Sequence, residues 1–393
     1  MKNCLPIFIL ALFITGCKKD RALPPVAAEF QRTYGDAGDE VAYSIIETPD
    51  KNYLITGSTS SYGNGNQDVY ILKTDQSGNV LWQKTFGGAN YDIAFSTVET
   101  KDGDYLTAGV TKSFTSGVGL DLYLVKTDNT GSPVWQKTYG TINNDGANAI
   151  TTLSDNSGYV LAGATGGGYF QFIGNNYLVK VNDQGDTLWT KLFGGYNFGD
   201  EAMSITAGLN GDFYTLSNTN DFGTSNKGLL VTKFNSAGDS LWSTVIDGSE
   251  QEKASKIKLT NDGGLVLCGL TSSYGDANGD LFAIKISPGG VISWQKNFGG
   301  MDYDKGNDVI QTRDGGFLFA GTSKSYGNGT TDMFLIKTDA FGIAQWMKTI
   351  DTGHYDEAYS LAETEDAYVI AGSTRTGTTL NDLDLFLVKI KKQ

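Results

Sequence analysis

The chain has 393 residues, and its 44 acidic and 30 basic side chains give a net charge of −14. Because binding to nucleic acid or to an anionic membrane surface needs clustered Lys and Arg, this charge argues against both partners. The composition includes 51 glycines, only 6 prolines and 12% aromatic residues. It favours many short strands joined by tight turns over helices or disorder.

Residues 1–16 are typical of an export signal. They begin with a basic residue and continue into the apolar run Leu5–Ile14, which is too short to span a membrane. The sequence Ile-Thr-Gly-Cys that ends at Cys17 resembles the lipobox of bacterial lipoproteins. The resemblance implies cleavage before Cys17 and acylation of Cys17 with fatty acids such as palmitate. Because Lys18 follows, it also implies an outer-membrane location, on either the periplasmic or the cell-surface face. The alternative is cleavage nearby by an ordinary signal peptidase.

Residues 17–29 then form a lipidated tether, and membrane contact is expected through the lipid alone. Removal of the signal deletes Cys4 and lipidation uses Cys17, which leaves Cys268 as the last cysteine. A disulfide framework is therefore excluded. Cys268 occupies a position that is Ala or Thr in other units, so we expect a small, buried and unreactive strand residue.

A motif ending in Trp recurs along almost the whole chain. The spacings between successive tryptophans are 53, 54, 53, 52 and 52 residues, and Phe30 holds the equivalent position 52 residues before the first of them. The tryptophans are Trp82, Trp135, Trp189, Trp242, Trp294 and Trp346. A repeat of this period indicates one domain over residues 30–393 rather than the two or three that the length suggests.

Each unit contains the pattern of four short antiparallel strands. We therefore predict an all-β fold, a seven-bladed β-propeller, in which the unpaired strand Phe30–Tyr34 completes the last blade beside Leu385–Lys391. A glycine inside the second strand of six units, such as Gly109, predicts a gap at a blade–blade contact that the Trp fills, and the fourth unit has Ser217 at this position. The competing interpretation is a two-domain β-sandwich.

The element Asp128-x-x-Gly131-x-x-x-Trp135 resembles the repeats of quinoprotein-like propellers, and the period also looks kelch-like. The resemblance implies the fold but no function, because these repeats serve many unrelated proteins. Quinone-dependent members have eight blades and ligand residues that this sequence lacks, so no cofactor is expected. A tethered propeller is also similar to the lipoprotein of the outer-membrane β-barrel assembly machinery.

Catalytic and metal-ligating residues are scarce. The single histidine, His354, lies in a loop, so neither a nucleophile–His pair nor a His-based zinc site can form. The segment Asp276–Asp280 looks like part of a calcium loop but lacks the distal glutamate. Asp and Lys at repeated turn positions suit structural roles. We therefore predict no catalytic residue and no metal site.

One acidic residue recurs at the start of the strand that follows each Trp strand. These residues are Glu40, Asp92, Asp145, Asp200, Glu252, Asp304 and Asp356. If the Trp strand is outermost, the next strand is innermost, and the acids are predicted to surround one mouth of the central channel. The alternative is that they cap loop amides.

Loops that open on the same face carry aromatic residues among Gly, Asn and Ser. The most unusual is Gly166–Phe172, which contributes Tyr169, Phe170 and Phe172. Such loops suit protein or glycan recognition, unless the aromatic rings pack locally. The sequence thus favours a monomeric, non-catalytic binding or scaffolding protein of the cell envelope. Two alternatives remain: an outer-membrane protein assembly factor that binds extended peptides, and a polysaccharide-active enzyme that uses the acidic ring.

Overall fold

A computed structural model of the chain describes residues 28–115, 117, 119–167, 174–194, 199–221, 227–328, 330–376 and 382–392. All regular structure in these residues is β-strand. They contain no helix that is long and apolar enough to cross a bilayer.

The described residues form twenty-eight strands. They are β1 Ala28–Tyr34, β2 Glu40–Glu47, β3 Tyr53–Thr59, β4 Asp68–Thr74, β5 Val80–Phe86, β6 Asp92–Glu99, β7 Tyr105–Thr111, β8 Asp121–Thr127, β9 Pro133–Tyr139, β10 Asn144–Thr152, β11 Tyr159–Gly167, β12 Asn175–Val181, β13 Thr187–Phe193, β14 Glu201–Ala207, β15 Phe213–Thr219, β16 Gly228–Phe234, β17 Ser240–Ile246, β18 Glu252–Leu259, β19 Leu265–Thr271, β20 Asp280–Ile286, β21 Ile292–Phe298, β22 Asp304–Gln311, β23 Phe317–Ser323, β24 Asp332–Thr338, β25 Ala344–Ile350, β26 Asp356–Glu363, β27 Ala367–Arg375 and β28 Leu383–Lys391.

The strands form seven four-stranded antiparallel sheets, the blades of a β-propeller. The first strand of each blade contacts the first strands of its neighbours, as β2 contacts both β6 and β26, so the first strands surround the axis. The fourth strand, which carries the Trp, is the outermost and has mostly exposed or half-buried residues. The predicted all-β, seven-bladed architecture is confirmed.

The ring closes through the ends of the chain. Strand β1 pairs antiparallel with β28, with Phe30 opposite Lys389 and Tyr34 opposite Leu385. It is the outer strand of the last blade, in the order β1-β28-β27-β26. This is the closure that the sequence predicts, and it joins the N-terminal strand to the last repeat by hydrogen bonds rather than leaving an open edge at that blade.

The glycine inside the second strand of six blades has a different role from the one predicted. Gly109 lies opposite Ala94, at a bulge in β6 between Ala94 and Ser96. A Cβ atom on Gly109 would lie 1.9 Å from the carbonyl oxygen of Ile93. The glycine therefore makes room for the bulged backbone of its own blade, and the prediction that a Trp fills this space is wrong.

The tryptophan packs instead on a turn of the next blade. The ring of Trp82 lies against Gly131, where an added Cβ would come within 2.8 Å of the ring. Gly131 has a φ of +81°, which the turn before β9 requires and which favours glycine. In the third repeat the indole N–H of Trp189 also donates a hydrogen bond to the carbonyl of Ser236 at 3.2 Å. The same contact with a turn glycine of the next blade recurs at the outer edge of the ring for Trp135, Trp189, Trp242 and Trp294.

A lysine near the end of each third strand is mostly buried and, in most blades, pairs with an aspartate of the hairpin turn in the same blade. Lys337 Nζ lies 2.8 Å from an oxygen of Asp314. Burial acts to raise the pKa of Asp314, but hydrogen bonds from Lys337 and Thr312 outweigh it and lower the pKa to about 2. The equivalent pairs are Lys73–Asp50, Lys126–Asp104, Lys233–Asp212 and Lys285–Asp262.

Candidate functional site

The seven recurring acids lie at one end of the propeller, at or next to the start of each first strand. Glu40, Asp92, Asp145, Asp200, Glu252, Asp304 and Asp356 are each at most 1% exposed. The N–H of Asp92 donates to the carbonyl of Gln67 in the preceding blade at 2.8 Å, and that of Asp304 donates to Gly279 at 2.8 Å. These bonds fix the acids at the junctions between blades.

The carboxylates of this set accept hydrogen bonds from the loops around them. Asp92 Oδ2 accepts from the N–H of Gly88 at 2.8 Å and from the hydroxyl of Ser113 at 2.6 Å, while Thr111 donates to Oδ1. Asp304 is bonded in the same way by its own loops. Asp92 and Asp304 therefore tie the loop that enters their blade to the segment at the end of the second strand.

A second set of acids begins the third strands and meets the first set across the junctions. A Cβ on Gly299 would lie 2.0 Å from Asp280 Oδ1 and 2.6 Å from Asp304 Oδ2, so the two carboxylates approach the glycine Cα together. The corresponding pairs are Asp68–Asp92, Asp121–Asp145, Asp280–Asp304, Asp332–Asp356 and Asp384–Glu40. We call both sets together the acidic belt. At one junction an amide, Asn175, replaces the second acid and faces Asp200.

Burial raises the pKa of several carboxyl groups in the belt. It raises the pKa of Asp280 and of Asp304, against hydrogen bonds that favour the ionised form. At Asp332 burial is again the largest cause, and the negative charges of Asp351 and Asp356 add to it, raising the pKa to about 7. Asp332 therefore carries less than a full negative charge near neutral pH.

The acids lie on the predicted face but under its loops. The carboxylates are therefore buried and do not form an open negative mouth. They accept hydrogen bonds from backbone amides of the loops, as the alternative interpretation predicted. Ligand binding by these carboxylates stays a prediction.

The axis of the ring is lined by residues that sequence reasoning missed. The ring of Tyr43 contacts those of Phe95 and Tyr359, with centroids 5.2 and 5.3 Å apart, and the three residues come from different blades. Glu357 accepts a hydrogen bond from Tyr355 at 2.6 Å and another from Tyr359. The signal was present in the sequence, because the residue three positions after the acid is aromatic in three units.

The first strands of the fifth and sixth blades carry lysines, Lys258 on β18 and Lys305 on β22. Burial lowers the pKa of both Lys258 and Lys305, and the charge of Glu357 opposes the effect at Lys305. Both side chains are still partly open to solvent. The first strands therefore differ between blades, because some contribute aromatic rings and others contribute lysines, although the fold repeats.

Four loops between second and third strands place an aromatic residue at an equivalent position, and each ring packs on an aromatic residue of the third strand. We call these residues the loop aromatics: Tyr62, Phe114, Tyr274 and Tyr326. Phe114 lies 5.7 Å from Tyr123 between ring centroids, and Tyr274 lies 5.6 Å from Phe282. Phe114 remains 44% exposed and Tyr274 39% exposed. Each of these two rings thus packs against its own blade while part of its surface stays open to solvent.

Several predicted residues lie outside the described part of the chain, namely Cys17, Tyr169, Phe170 and Phe172. Cys268 is buried as expected, and burial raises the pKa of its thiol well above the usual range.

Two further residues from the sequence analysis have structural partners. The carbonyl of His354 accepts a hydrogen bond from Thr330 at 2.7 Å. In the fragment that resembles a calcium loop, Asp276 accepts from the N–H of Asn278 at 3.0 Å and donates its own N–H to Asp280 at 3.3 Å. These two bonds stabilise the local turn.

No protein-family model matches the sequence, and a search of curated proteins finds no significant match. Among solved structures, a protein of unknown function from Dyadobacter fermentans superposes with a TM-score of 0.53 at 12% identity, covering 94% of this chain and 100% of that one. Sqt1 from Chaetomium thermophilum gives 0.52 at 9% identity, covering 95% and 100%. A puromycin hydrolase gives 0.51 at 11% identity, covering 90% of this chain and 54% of the hydrolase. At these identities the likeness shows the fold alone.

Proposed function

We propose that the protein is a non-catalytic, lipid-anchored binding or scaffolding module of the outer membrane, which recognises a protein or glycan through the loop face of the propeller. A β-propeller fold is suited in general to binding and scaffolding. In this proposal the chain acts as a monomer, binds no nucleic acid and contacts the membrane only through the lipid on Cys17.

The observation that carries the proposal is the set of loop aromatics. Phe114 and Tyr274 each have one ring face held against the third strand while a large fraction of the side chain stays exposed. An aromatic ring fixed in this way loses little conformational entropy when a partner covers it. Similar rings recur around the face, so several contacts with one partner are possible.

The burial of the acidic belt favours binding over the enzymatic alternative. Hydrolysis of a polysaccharide by paired carboxylates needs both groups to reach the glycosidic bond. Asp280 is 3% exposed and Asp304 is fully buried, and both accept hydrogen bonds from their own loops or strands. A substrate could reach them only if these loops opened.

The test compares three forms of the protein for binding to immobilised envelope polysaccharide and to detergent-solubilised envelope proteins. The forms are the wild type, the double variant Phe114→Ser with Tyr274→Ser, and the control Phe341→Ser. Phe341 is 73% exposed in a turn at the opposite end of the sixth blade. The proposal predicts at least tenfold weaker binding of the double variant and unchanged binding of the control. Equal binding by all three forms would contradict it.

A further inference from the structure

The junction between the sixth and seventh blades departs from the rest of the acidic belt. The residue directly after the Trp strand is glycine at most junctions, as at Gly87 and Gly299, and an added Cβ there would collide with the paired carboxylates. At this junction the same position is Asp351, so a third carboxylate joins Asp332 and Asp356. One other junction has an acid there, Asp247, but its third strand begins at Gly228 without an acid.

The three carboxylates converge. One oxygen from each of Asp332, Asp351 and Asp356 lies within 4.8 Å of the other two. Two ligands that are each about 2.4 Å from one cation can be at most about 4.8 Å apart, so the spacing fits a shared ion. Asp332 and Asp356 are buried and Asp351 is exposed, which gives the cluster an open side towards solvent.

Asp332 is the part of the cluster that most needs a partner. It is fully buried, and among the described residues neither of its carboxylate oxygens has a hydrogen bond of normal geometry, although the N–H of Asn328 and the carboxyl group of Asp351 approach it. Within the described ranges, no lysine or arginine forms an ion pair with it. The equivalent Asp280 keeps a hydrogen bond from Asn297 at 2.8 Å on one of its two oxygens. A buried carboxylate without a partner is unfavourable when it is ionised, and a bound cation would supply the missing positive charge.

The other two acids are already oriented. Asp351 Oδ1 accepts hydrogen bonds from the side-chain amide of Asn328 at 2.8 Å and from the N–H of Gly353 at 2.7 Å. Asp356 Oδ2 accepts from the N–H of Thr352 at 2.9 Å. These bonds fix each carboxylate while leaving further lone pairs for an ion.

We propose that Asp332, Asp351 and Asp356 form a binding site for a divalent cation of the calcium type. All the donors in this group are carboxylate oxygens, which hard cations prefer, and the group includes no thiol or imidazole that would favour zinc. Calcium accepts irregular sites completed by water, whereas magnesium requires near-ideal octahedral geometry. Because the ligands come from two blades, the ion links the sixth blade to the seventh.

The experiment uses the full chain in detergent after removal of metal with EGTA. Isothermal titration calorimetry with calcium chloride should show one site with a Kd of about 0.1–1 mM, the range of extracellular calcium modules. The melting temperature should rise with calcium and rise less with the same concentration of magnesium. No saturable binding, or an equal effect of both ions, would overturn the proposal.

Variants locate the site. Asp351→Gly recreates the residue found at most junctions, so the protein should fold normally and bind calcium at least tenfold more weakly. Asp332→Asn should have the same effect on binding. The control Asp302→Asn removes the same charge from the equivalent loop of the preceding junction, where Asp302 is exposed, and should bind like the wild type. Unchanged affinity in Asp351→Gly, or equal loss in the control, would contradict the assignment.

Discussion

Asp280 and Asp304 belong to neighbouring blades and meet over the Cα atom of Gly299, which leaves no space for a side chain between them. We predict that Gly299→Ala destabilises the protein by about 1–3 kcal/mol, because the methyl group must displace two buried carboxylates. Chemical denaturation measures the change. Gly289→Ala is the control, since an added Cβ there meets nothing within 4 Å, and its effect should stay within about 0.5 kcal/mol. Equal effects of the two variants would show that the belt tolerates extra volume.

Asp304→Asn should leave the protein as stable as the wild type at pH 7, or stabilise it. Burial raises the pKa of Asp304, so its ionised form is unfavourable in the folded state. Stability from this group is complete below the ordinary pKa of about 3.8 and is lost as the pH rises through the raised value. An amide can accept from Gly300 and donate towards Asp280, much as Asn175 faces Asp200.

Thermal melting between pH 4 and pH 8 tests this expectation. Any advantage of Asp304→Asn should be greatest near neutral pH and should shrink as the pH falls towards 4, where the unfolded chain also begins to bind the proton. A melting temperature far below that of the wild type at every pH would show that the cap requires a carboxylate.

The pair Lys337–Asp314 should have the opposite pH dependence. Its folded pKa is lowered to about 2, so the stability it contributes is present above the ordinary pKa and is lost as the pH falls through about 2. Because the Asp314 side chain is 56% exposed, we expect only about 0.5–1 kcal/mol. Asp314→Asn should lower stability at pH 5 and match the wild type more closely at pH 2. A constant difference across that range would contradict the ion-pair interpretation.

Much of the fold could be predicted because the repeat is regular. The Trp spacing and the unpaired strands at Phe30 and Leu385 indicate the number of blades and the closure, since a strand without a partner must pair at the other end of the ring. The role of Gly109 could not be predicted. It depends on a bulge between Ala94 and Ser96. The extra residue of this bulge does not clearly alter the sequence pattern of apolar residues, so the sequence does not reveal it.

The candidate site was predicted only in part. The position of the acids follows from strand order, but their burial under loops depends on hydrogen bonds such as that from Ser113 to Asp92, which join residues about twenty positions apart. The cluster at Asp351 was visible as one acid where most units have glycine. Its proximity to Asp332 could not be predicted from the sequence, because Asp332 lies on another strand.

Lipid anchoring is tested by Cys17→Ala. The variant should lose its acyl chains and appear in the soluble fraction as a folded domain, because lipidation is the only membrane attachment in the proposed function. Fractionation with a carbonate wash, together with circular dichroism of the released protein, measures both properties. Retention of the variant in washed membranes would contradict the anchor.

Photo-crosslinking in the native host tests the central claim, recognition through the loop face, most directly. A photoreactive phenylalanine analogue is placed at position 114 or 274 on the loop face, or at position 341 in the opposite turn, and the three positions are compared after irradiation. Recognition through the loop face predicts a discrete adduct with an envelope protein or glycan from positions 114 and 274 and none from position 341. An adduct from position 341 alone would contradict it.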